Sequence, residues 1–338
     1  MAILDWRALH GTHFERVRCV VTGGAGFIGS HLAEALVTLG AEVVVLDDLS
    51  GCDPDDPRAG LTWYREGAGS GTLDLIEASI TDPSAVDAAV AGARYVFHQA
   101  AWGSVPRSVE MPLRYHQINT TGTLNVLEAS RAAGVRRVMF AASSSAYGDT
   151  PTLPKHEQMP VSPRSPYAAN KVAGEAMMRA WACSYGRGGA FDTVALRYFN
   201  IFGPRQNANS AYAAVIAAFR KALQVGERPV IFGDGEQSRD FTFVDNAVHA
   251  NLLAARSETP LSGEPINIAC GERVTVNALA AAMAEAVGRS ELTPEHRPER
   301  VGDVKHSLAD LARARALIGY EPRVGFREGL DAVMHETH

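Results

Sequence analysis

A tyrosine and a lysine four residues apart are the first pair in this chain whose types and spacing suggest chemistry. Tyr167 and Lys171 lie in the segment SPYAANK at 165–171. On a helix this spacing puts the phenol and the ammonium on one face. A neighbouring cation stabilises a phenolate and lowers the tyrosine pKa from its usual ~10, which predicts Tyr167 as a general base for a hydroxyl group.

A serine that follows a predicted strand is the third member of this group. Ser143 begins the segment SSSAYGD at 143–149, directly after an apolar strand. We expect its hydroxyl to bind the same substrate hydroxyl as Tyr167 and to help relay the proton. Each feature alone also fits a chance spacing or a turn, so the group is informative only together with what precedes it in the chain.

A glycine-rich run near the N-terminus predicts a dinucleotide site. The run TGGAGFIGSHL at 22–32 follows an apolar strand and continues into a helix with an apolar face. Gly23 permits the tight turn, Gly26 lets the backbone approach the phosphates, and Gly29 lets helix and strand pack closely.

A carboxylate at the end of the next predicted strand favours NAD over NADP. Asp47 ends the run EVVVLD at 42–47, near the expected distance of about 20 residues beyond the last glycine. It would accept hydrogen bonds from the adenosine ribose hydroxyls and repel a 2′-phosphate. With NAD bound, we expect Lys171 to reach the nicotinamide ribose.

Alternating strands and helices must position these residues. The pattern predicts an α/β fold with a doubly wound parallel sheet, the Rossmann arrangement, and ligands at the carboxyl ends of its strands. A segment at 51–71, rich in Gly, Asp and Pro, is predicted to be an exposed loop. The predicted strands lie near 17–22, 42–46, 72–78, 95–99, 137–142, 193–198 and 265–268.

A smaller C-terminal substrate domain is predicted to interleave with the sheet, because the alternation weakens after Gly203. We assign 1–200 with a return segment at 243–270 to the cofactor domain. The remaining segments, 201–242 and 271–338, are assigned to the substrate domain.

Composition limits the class of protein. The 338 residues include 32 basic and 38 acidic side chains, a formal charge of −6, which argues against a nucleic-acid or anionic-membrane surface. Four separated cysteines, no apolar leader and no segment of membrane-spanning length predict a soluble, cytoplasmic protein without nucleic-acid or membrane partners. The scattered histidines predict no metal.

Together these motifs resemble the extended short-chain dehydrogenase/reductase family, and within it the NAD-dependent nucleotide-sugar epimerases. The resemblance rests on the glycine turn, Ser143, Tyr167 and Lys171, and the segment RYFN at 197–200. Two further segments, HQAAWGSVPRS at 98–108 and GDVKHSLAD at 302–310, are most similar to the bacterial UDP-N-acetylglucosamine 4-epimerases. The resemblance to the family extends from about residue 17 to residue 334.

The resemblance implies a UDP-sugar site beside the NAD. Asn200 would hold the diphosphate, Arg239 and Arg300 would neutralise its phosphates, and Asp303 would bind the uridine ribose. Guanidinium groups fit phosphate oxygens bidentately, and an acidic protein needs such arginines at one place. The alternative for Arg239 is a surface salt bridge with Asp240.

The predicted site residues divide by role. Catalysis is assigned to Ser143, Tyr167 and Lys171. Cofactor contacts are assigned to Gly23, Gly26, Phe27, Ile28, Gly29, Asp47, Ser50, Ile80, Ala100, Ala101, Tyr167 and Lys171. Substrate contacts are assigned to Gly103, Ser104, Arg107, Ser144, Ser145, Asn200, Arg239, Arg300, Asp303 and Ser307.

One position bears on the sugar. By resemblance, Ser307 lines the pocket beside the sugar C2 substituent, where enzymes restricted to UDP-glucose and UDP-galactose carry tyrosine. Serine leaves room for an N-acetyl group. We therefore expect interconversion of UDP-GlcNAc and UDP-GalNAc through a transient 4-keto sugar and bound NADH, with UDP-glucose and UDP-galactose as further substrates.

Other functions stay open. Arg107 could pair a C6 carboxylate, so a UDP-glucuronate 4-epimerase or a related epimerase or decarboxylase is the alternative. Ser144 and Ser145 stand where the dehydratases of the family carry an Asp-Glu pair, which argues against elimination of water. A non-catalytic NAD-binding regulatory protein would be expected to lack Tyr167 or Lys171.

Two departures from the family and one pair of helices complete the expectations. Ser79 replaces an Asp expected beside the adenine, and Trp102 replaces a smaller residue expected beside the sugar. Asn119 is expected to cap its helix or to support Tyr167. The helices at 119–133 and 165–185 resemble the pair that builds a four-helix bundle in family homodimers, although both could instead be buried within one subunit.

Overall fold

The elements follow the predicted alternation of strands and helices. A computed structural model describes residues 2–52, 56–65, 70–206, 215–299 and 305–335. Its strands are β1 (Arg18–Thr22), β2 (Glu42–Asp47), β3 (Thr72–Glu77), β4 (Tyr95–His98), β5 (Arg137–Ser143), β6 (Asp192–Tyr198), β7 (Ile201–Phe202), β8 (Val230–Phe232), β9 (Ser238–Arg239), β10 (Thr242–Phe243), β11 (Pro265–Ile268), β12 (Val274–Thr275) and β13 (Glu295–Arg297).

The helices connect these strands. They are α1 (Trp6–His10), α2 (Phe27–Thr38), α3 (Thr62–Arg65), α4 (Pro83–Val90), α5 (Val105–Glu110), α6 (Pro112–His116), α7 (Gly122–Ala132), α8 (Pro166–Tyr185), α9 (Val215–Gln224), α10 (Val244–Arg256), α11 (Val276–Ala286), α12 (Ala312–Ile318) and α13 (Phe326–Met334). In the described ranges, none of them has the length and apolar character that crossing a membrane requires.

Seven parallel strands form the central sheet in the order β3-β2-β1-β4-β5-β6-β11. This is the strand order of the Rossmann fold, so the predicted fold class is confirmed. The seven predicted strands are also confirmed, each with its ends within one residue of the prediction. Because β1 lies between β2 and β4, the chain segments that leave these three strands meet at one edge of the sheet.

Alternating side chains of the strands pack against two layers of helices, one on each face of the sheet. In β2, Val43 and Val45 join one buried cluster with residues of α2 and α10, whereas Val44 and Leu46 join a second cluster with residues of α4, α7 and α8. Side chains of successive strand residues point to opposite faces. The strand is therefore apolar from Val43 to Leu46 because both of its faces are covered.

A second group of elements surrounds its own apolar cluster. The paired short strands β7 with β10, β8 with β13 and β9 with β12 pack with α9, α11 and α13. Helix α12 instead packs against β11 and α10, and its residues Ala314 and Ile318 belong to a cluster of the main sheet. The division into two domains at the boundaries given above stays a prediction.

The segment predicted as an exposed loop at 51–71 is partly helical and partly buried. A 3-10 turn at Ala59–Leu61 continues into α3. Leu61 and Trp63 are only 7% and 8% exposed and pack into the main core. The prediction of an exposed loop was wrong for this part of the segment. It relied on the Gly and Pro content and gave no weight to the two large apolar side chains, Leu61 and Trp63.

Candidate active site

An open cavity of about 1150 Å³ lies at the carboxyl edge of the central sheet. Its walls come from the segments that follow β1, β2, β4, β5 and β6. The twelve residues assigned to the cofactor all line this cavity: Gly23, Gly26, Phe27, Ile28, Gly29, Asp47, Ser50, Ile80, Ala100, Ala101, Tyr167 and Lys171. The third catalytic candidate, Ser143, lines the cavity as well.

The glycine turn has the shape that a pyrophosphate needs. Gly23 has a positive φ of 71°, and a Cβ there would lie 2.7 Å from the backbone of Ala100. A Cβ at Gly29 would collide with the carbonyl of Gly23, so the helix can approach the strand only with glycine there. Gly26 precedes α2 and lines the cavity. The turn therefore presents backbone amides and a helix N-terminus without an obstructing side chain, which fits NAD.

Asp47 fixes the loop after β2 against this turn. Its two carboxylate oxygens accept hydrogen bonds from the amides of Ala25, at 2.9 Å, and Leu49, at 2.8 Å. Burial raises the pKa of Asp47, while these backbone hydrogen bonds oppose the rise. A carboxylate has about four lone-pair sites, so Asp47 can still accept hydrogen bonds from ribose hydroxyls. The adjacent Asp48 also lines the cavity. Sequence reasoning missed Asp48, although a second acidic residue beside Asp47 was a visible signal.

Helix α8 positions the tyrosine and the lysine. Ser165 caps it, because its Oγ accepts from the amide of Ala168 at 3.1 Å, and Pro166 occupies its first turn. Lys171 is buried, and its Nζ donates to the carbonyl of Ala141 at 2.6 Å. The same Nζ lies 5.9 Å from the centroid of the Tyr167 ring.

The pKa shifts differ from the simple expectation. Burial raises the pKa of Tyr167, and a hydrogen bond with Ser143 opposes the rise. Burial lowers the pKa of Lys171 to about 8. The expected lowering of the Tyr167 pKa by its neighbouring ammonium is therefore wrong for the protein alone, because burial removes water from the phenol and disfavours its charged form.

The substrate candidates fall into three groups. Those that line the cavity are Gly103, Ser144, Ser145, Asn200, Arg239 and Ser307. Two lie beside it: Ser104 caps α5 by accepting from the amide of Arg107, and the Arg107 guanidinium lies 4.2 Å from the centroid of the Trp102 ring. Arg300 and Asp303 lie outside the described residues.

Asn200 lies where the central sheet meets the second group of elements. Its φ of 34° is in the left-handed region, which asparagine tolerates better than most residues. Arg239 donates from Nη1 to the carbonyls of Ser238 and Lys305. Both Asn200 and Arg239 also line a second cavity of about 270 Å³, whose other walls include the apolar side chains of α9 and β8.

Asp240 accepts hydrogen bonds from the main chain, whereas the sequence suggested a salt bridge with Arg239. Its carboxylate accepts from the amides of Cys270, Gly271 and Ala309 at 3.0 to 3.1 Å. Burial raises its pKa to about 7. This carboxylate therefore links the loop before β10 to the segments that follow β11 and precede α12.

Two polar residues have positions that sequence reasoning did not predict. Asn119 lies inside a π-helical turn at Gln117–Thr121, so it is not a helix cap. Its side-chain amide accepts from the Trp102 amide at 2.9 Å and donates to the Trp102 carbonyl at 3.0 Å. Lys155 is buried, lines the cavity and donates from Nζ to the carbonyl of Thr150. A single lysine in a proline-rich segment gave no signal of this position.

Trp102, expected beside the sugar, also contacts a residue that is a candidate for binding the cofactor. Its Nε1 donates to Ser50 Oγ at 3.4 Å, on the side of the cavity that holds the cofactor candidates. Ser79, the other departure from the family, also lines the cavity. In the described ranges, no three side chains of His, Cys, Asp or Glu are grouped so that they could hold a metal ion.

Comparison with known proteins now assigns the family. The model of the NAD dependent epimerase/dehydratase family matches residues 19–269. The chain belongs to this family. NAD is the cofactor of the family, and the glycine turn described above fits it. The predicted membership and the predicted cofactor are therefore confirmed.

Several members of the family are similar over nearly the full chain. The UDP-glucose 4-epimerase of Mycolicibacterium smegmatis is 38% identical, covering 93% of this chain and 96% of the relative. The UDP-glucuronate 4-epimerase of Thermodesulfobacterium geofontis is 32% identical, covering 92% of this chain and 93% of the relative.

Two solved structures share the fold. The UDP-N-acetylglucosamine 4-epimerase of Methanobrevibacter ruminantium, in complex with UDP-N-acetylmuramic acid, has a TM-score of 0.85 at 39% identity and covers 95% of this chain and 97% of its own. The UDP-glucose 4-epimerase of Thermus thermophilus, in complex with NAD, has a TM-score of 0.79 at 33% identity and covers 94% and 98%.

Proposed function

We propose that this family member is a UDP-sugar 4-epimerase that interconverts UDP-GlcNAc and UDP-GalNAc. The observation that carries the proposal is a single cavity lined by the NAD turn, by Ser143, Tyr167 and Lys171, and by Ser307. The 4-epimerase names of the similar proteins support the reaction.

The chain's own residues would manage the proton and the orientation of the sugar. Bound NAD supplies the group that takes a hydride from the sugar and returns it. Tyr167 would accept the proton of the sugar C4 hydroxyl as general base. Ser143 Oγ already accepts from the amide and the hydroxyl of Ser145, so its own O–H is available to donate to Tyr167 or to the sugar.

The charge on Lys171 suits this proton transfer. With a pKa of about 8, Lys171 is largely protonated near neutral pH, yet it is buried beside the phenol. A cation in a low-dielectric site acts strongly on a nearby developing phenolate. Together with the positive nicotinamide ring of NAD, it would favour the phenolate that the raised pKa of free Tyr167 disfavours.

The second cavity would receive the nucleotide end of the substrate. Its walls combine apolar side chains of α9 and β8 with Asn200 and Arg239, which also line the main cavity. A planar base fits between apolar walls, and a guanidinium fits phosphate oxygens. We therefore assign the diphosphate to Asn200 and Arg239. Arg300 and Asp303 stay proposed contacts for the phosphates and the ribose.

The sugar preference rests on Ser307. It is 9% exposed, lines the main cavity, and is held by a hydrogen bond from its amide to the carbonyl of Ser238 at 3.0 Å. A small side chain at a backbone position that is fixed in this way leaves room for an N-acetyl group. The UDP-glucuronate alternative depended on Arg107, which packs against Trp102 beside the cavity.

The test is to incubate the purified protein separately with UDP-GlcNAc, UDP-glucose and UDP-glucuronate and to identify the products by NMR. We expect UDP-GalNAc from the first and slower formation of UDP-galactose from the second. Turnover of UDP-glucuronate alone would overturn the proposed substrate. We further propose a homodimer through α7 and α8, and a cytoplasmic location.

A further inference from the structure

Trp102 contacts a residue on the opposite side of the glycine turn. It follows β4, whereas Ser50 follows β2, and β1, which precedes the turn, lies between these two strands. The indole Nε1 donates to Ser50 Oγ at 3.4 Å, and both residues line the cavity. The contact therefore joins the two segments that flank the glycine turn, where the pyrophosphate of a dinucleotide binds in this fold.

The side of this contact that follows β2 is fixed by further hydrogen bonds. Ser50 donates from its amide at 3.0 Å and from its hydroxyl at 2.5 Å to the same oxygen of Asp48. The indole N–H, the serine hydroxyl and the carboxylate thus form one chain of hydrogen bonds. Such a chain strengthens its members, because each bond polarises the next.

The side that follows β4 is held by the main chain and by ring contacts. The buried side chain of Asn119 bonds both the amide and the carbonyl of Trp102. The Tyr115 ring packs edge-on with its centroid at 5.5 Å from that of Trp102. The guanidinium groups of Arg107 and Arg114 lie 4.2 Å and 5.7 Å from the indole centroid, within the range of cation–π attraction.

We propose that Trp102 is a retention residue for NAD, whose indole closes the cavity over the glycine turn and slows dissociation of the dinucleotide. A smaller aliphatic side chain could make neither the hydrogen bond to Ser50 nor the contacts with the two guanidinium groups. The inference rests on the proposed function in one respect: an epimerase must return the hydride it removed, so a cofactor that stays bound serves its reaction.

The test measures cofactor exchange without any sugar. Wild type, Trp102→Leu, Trp102→Phe and the control Leu113→Ala are saturated with NAD, freed of excess nucleotide and mixed with isotopically labelled NAD, and exchange is followed by mass spectrometry. Leu113 lies on α6 in the same segment and is 86% exposed. We expect exchange about tenfold faster for Trp102→Leu, a smaller increase for Trp102→Phe, and no change for the control.

Equal exchange rates in wild type and a folded Trp102→Leu variant would overturn the proposal. A raised KM for the UDP-sugar with unchanged NAD exchange would also overturn it, by moving Trp102 to the sugar site. If Trp102→Leu does not fold, Trp102→Phe decides, since it removes the hydrogen bond and should exchange faster than wild type. Faster exchange in a protein that epimerises no UDP-sugar would uphold the inference and refute the proposed function.

Discussion

At the scale of single residues, the proposed chemistry depends on a phenol and an ammonium that the fold partly removes from water. Burial pushes the pKa of Tyr167 up and that of Lys171 down to about 8. Both shifts disfavour the charged pair that general-base catalysis needs. In the proposed mechanism, bound NAD and the sugar hydroxyl would have to favour the phenolate that burial disfavours. The spacing of the two residues was visible in the sequence, but the bond between Lys171 and Ala141 was not, because it depends on β5 lying beside α8.

Replacing Tyr167 with phenylalanine should abolish most turnover. The change removes the proton acceptor and keeps the ring, so kcat should fall about 10²-fold or more while NAD content and UDP-sugar affinity stay near wild type. Steady-state kinetics, nucleotide analysis and calorimetry measure the three quantities. Ser143→Ala should cause a smaller fall, because Ser145 or water can replace part of its role. Near-full activity of Tyr167→Phe would refute the proton-transfer scheme.

A tyrosine at position 307 should separate the two classes of sugar. Ser307 is nearly buried, so a phenol placed there would crowd the cavity, and overpacking costs about 1–3 kcal/mol. Ser307→Tyr should lose activity on UDP-GlcNAc and keep some on UDP-glucose, as measured by kcat/KM for both. Ser307→Ala is the matched control, and it should keep both activities. Equal loss on both sugars in the tyrosine variant would indicate general damage to the site instead.

At the scale of elements, the apolar pattern of the sequence was enough to predict the strands of the central sheet. The predictions failed where contacts between distant residues determine the local structure. The central strands were predicted correctly because a strand covered on both faces carries a continuous apolar run, as Val43, Val44 and Val45 show. The errors lie where contacts from distant residues decide. Asn119 lies in a π-helical turn and bonds the main chain of Trp102, and Trp63 is buried in a segment that composition marks as a loop.

The short helix α1 precedes the sheet and is held to helix α10 by a pair of buried histidines. His10 Nε2 and His249 Nδ1 of α10 lie 3.0 Å apart, and the amide of Ile3 bonds the carboxylate of Asp245 on the same helix at 2.6 Å. Burial is the main reason why the pKa of His10 is lowered to about 3 and that of His249 to about 4. Arg256 adds to both shifts. The pair is therefore neutral in the folded protein at neutral pH.

This pair should make stability depend on pH. In the unfolded chain both histidines bind protons near their ordinary pKa of 6.5, whereas in the folded protein they do so only below about 4. Between these values the unfolded state holds more protons, so the free energy of unfolding should rise as the pH rises through this window. His249→Gln should reduce the slope by at most about 1.4 kcal/mol per pH unit, measured by urea unfolding. The exposed His335→Gln is the control, and equal slopes in His249→Gln and wild type would contradict the prediction.

At the scale of the whole molecule, the two groups of elements would divide the binding of cofactor and substrate between them. The central sheet provides the cofactor candidates, and the second group of elements provides Arg239 and the apolar walls of the smaller cavity. Asn200, with its left-handed backbone, lies at the junction and lines both cavities. The motif RYFN made this asparagine visible in the sequence. The way in which the two cavities meet depends on returning segments such as α10 and β11, which no local pattern specifies.

The outer faces of α7 and α8 give the last prediction, which concerns assembly. Leu124 on α7 is 37% exposed, and α8 exposes small residues at helical spacing, Ala169, Ala176 and Ala180. Small side chains along one face allow a second helix to pack closely, so a charge there should oppose association. Light scattering should give a dimer for wild type and for the control Val225→Glu, whose position is 66% exposed and follows α9. Ala176→Glu should give a monomer with an unchanged circular dichroism spectrum. A dimer that persists in Ala176→Glu would show that these helices do not form the interface, and a monomeric wild type would refute the proposed homodimer itself.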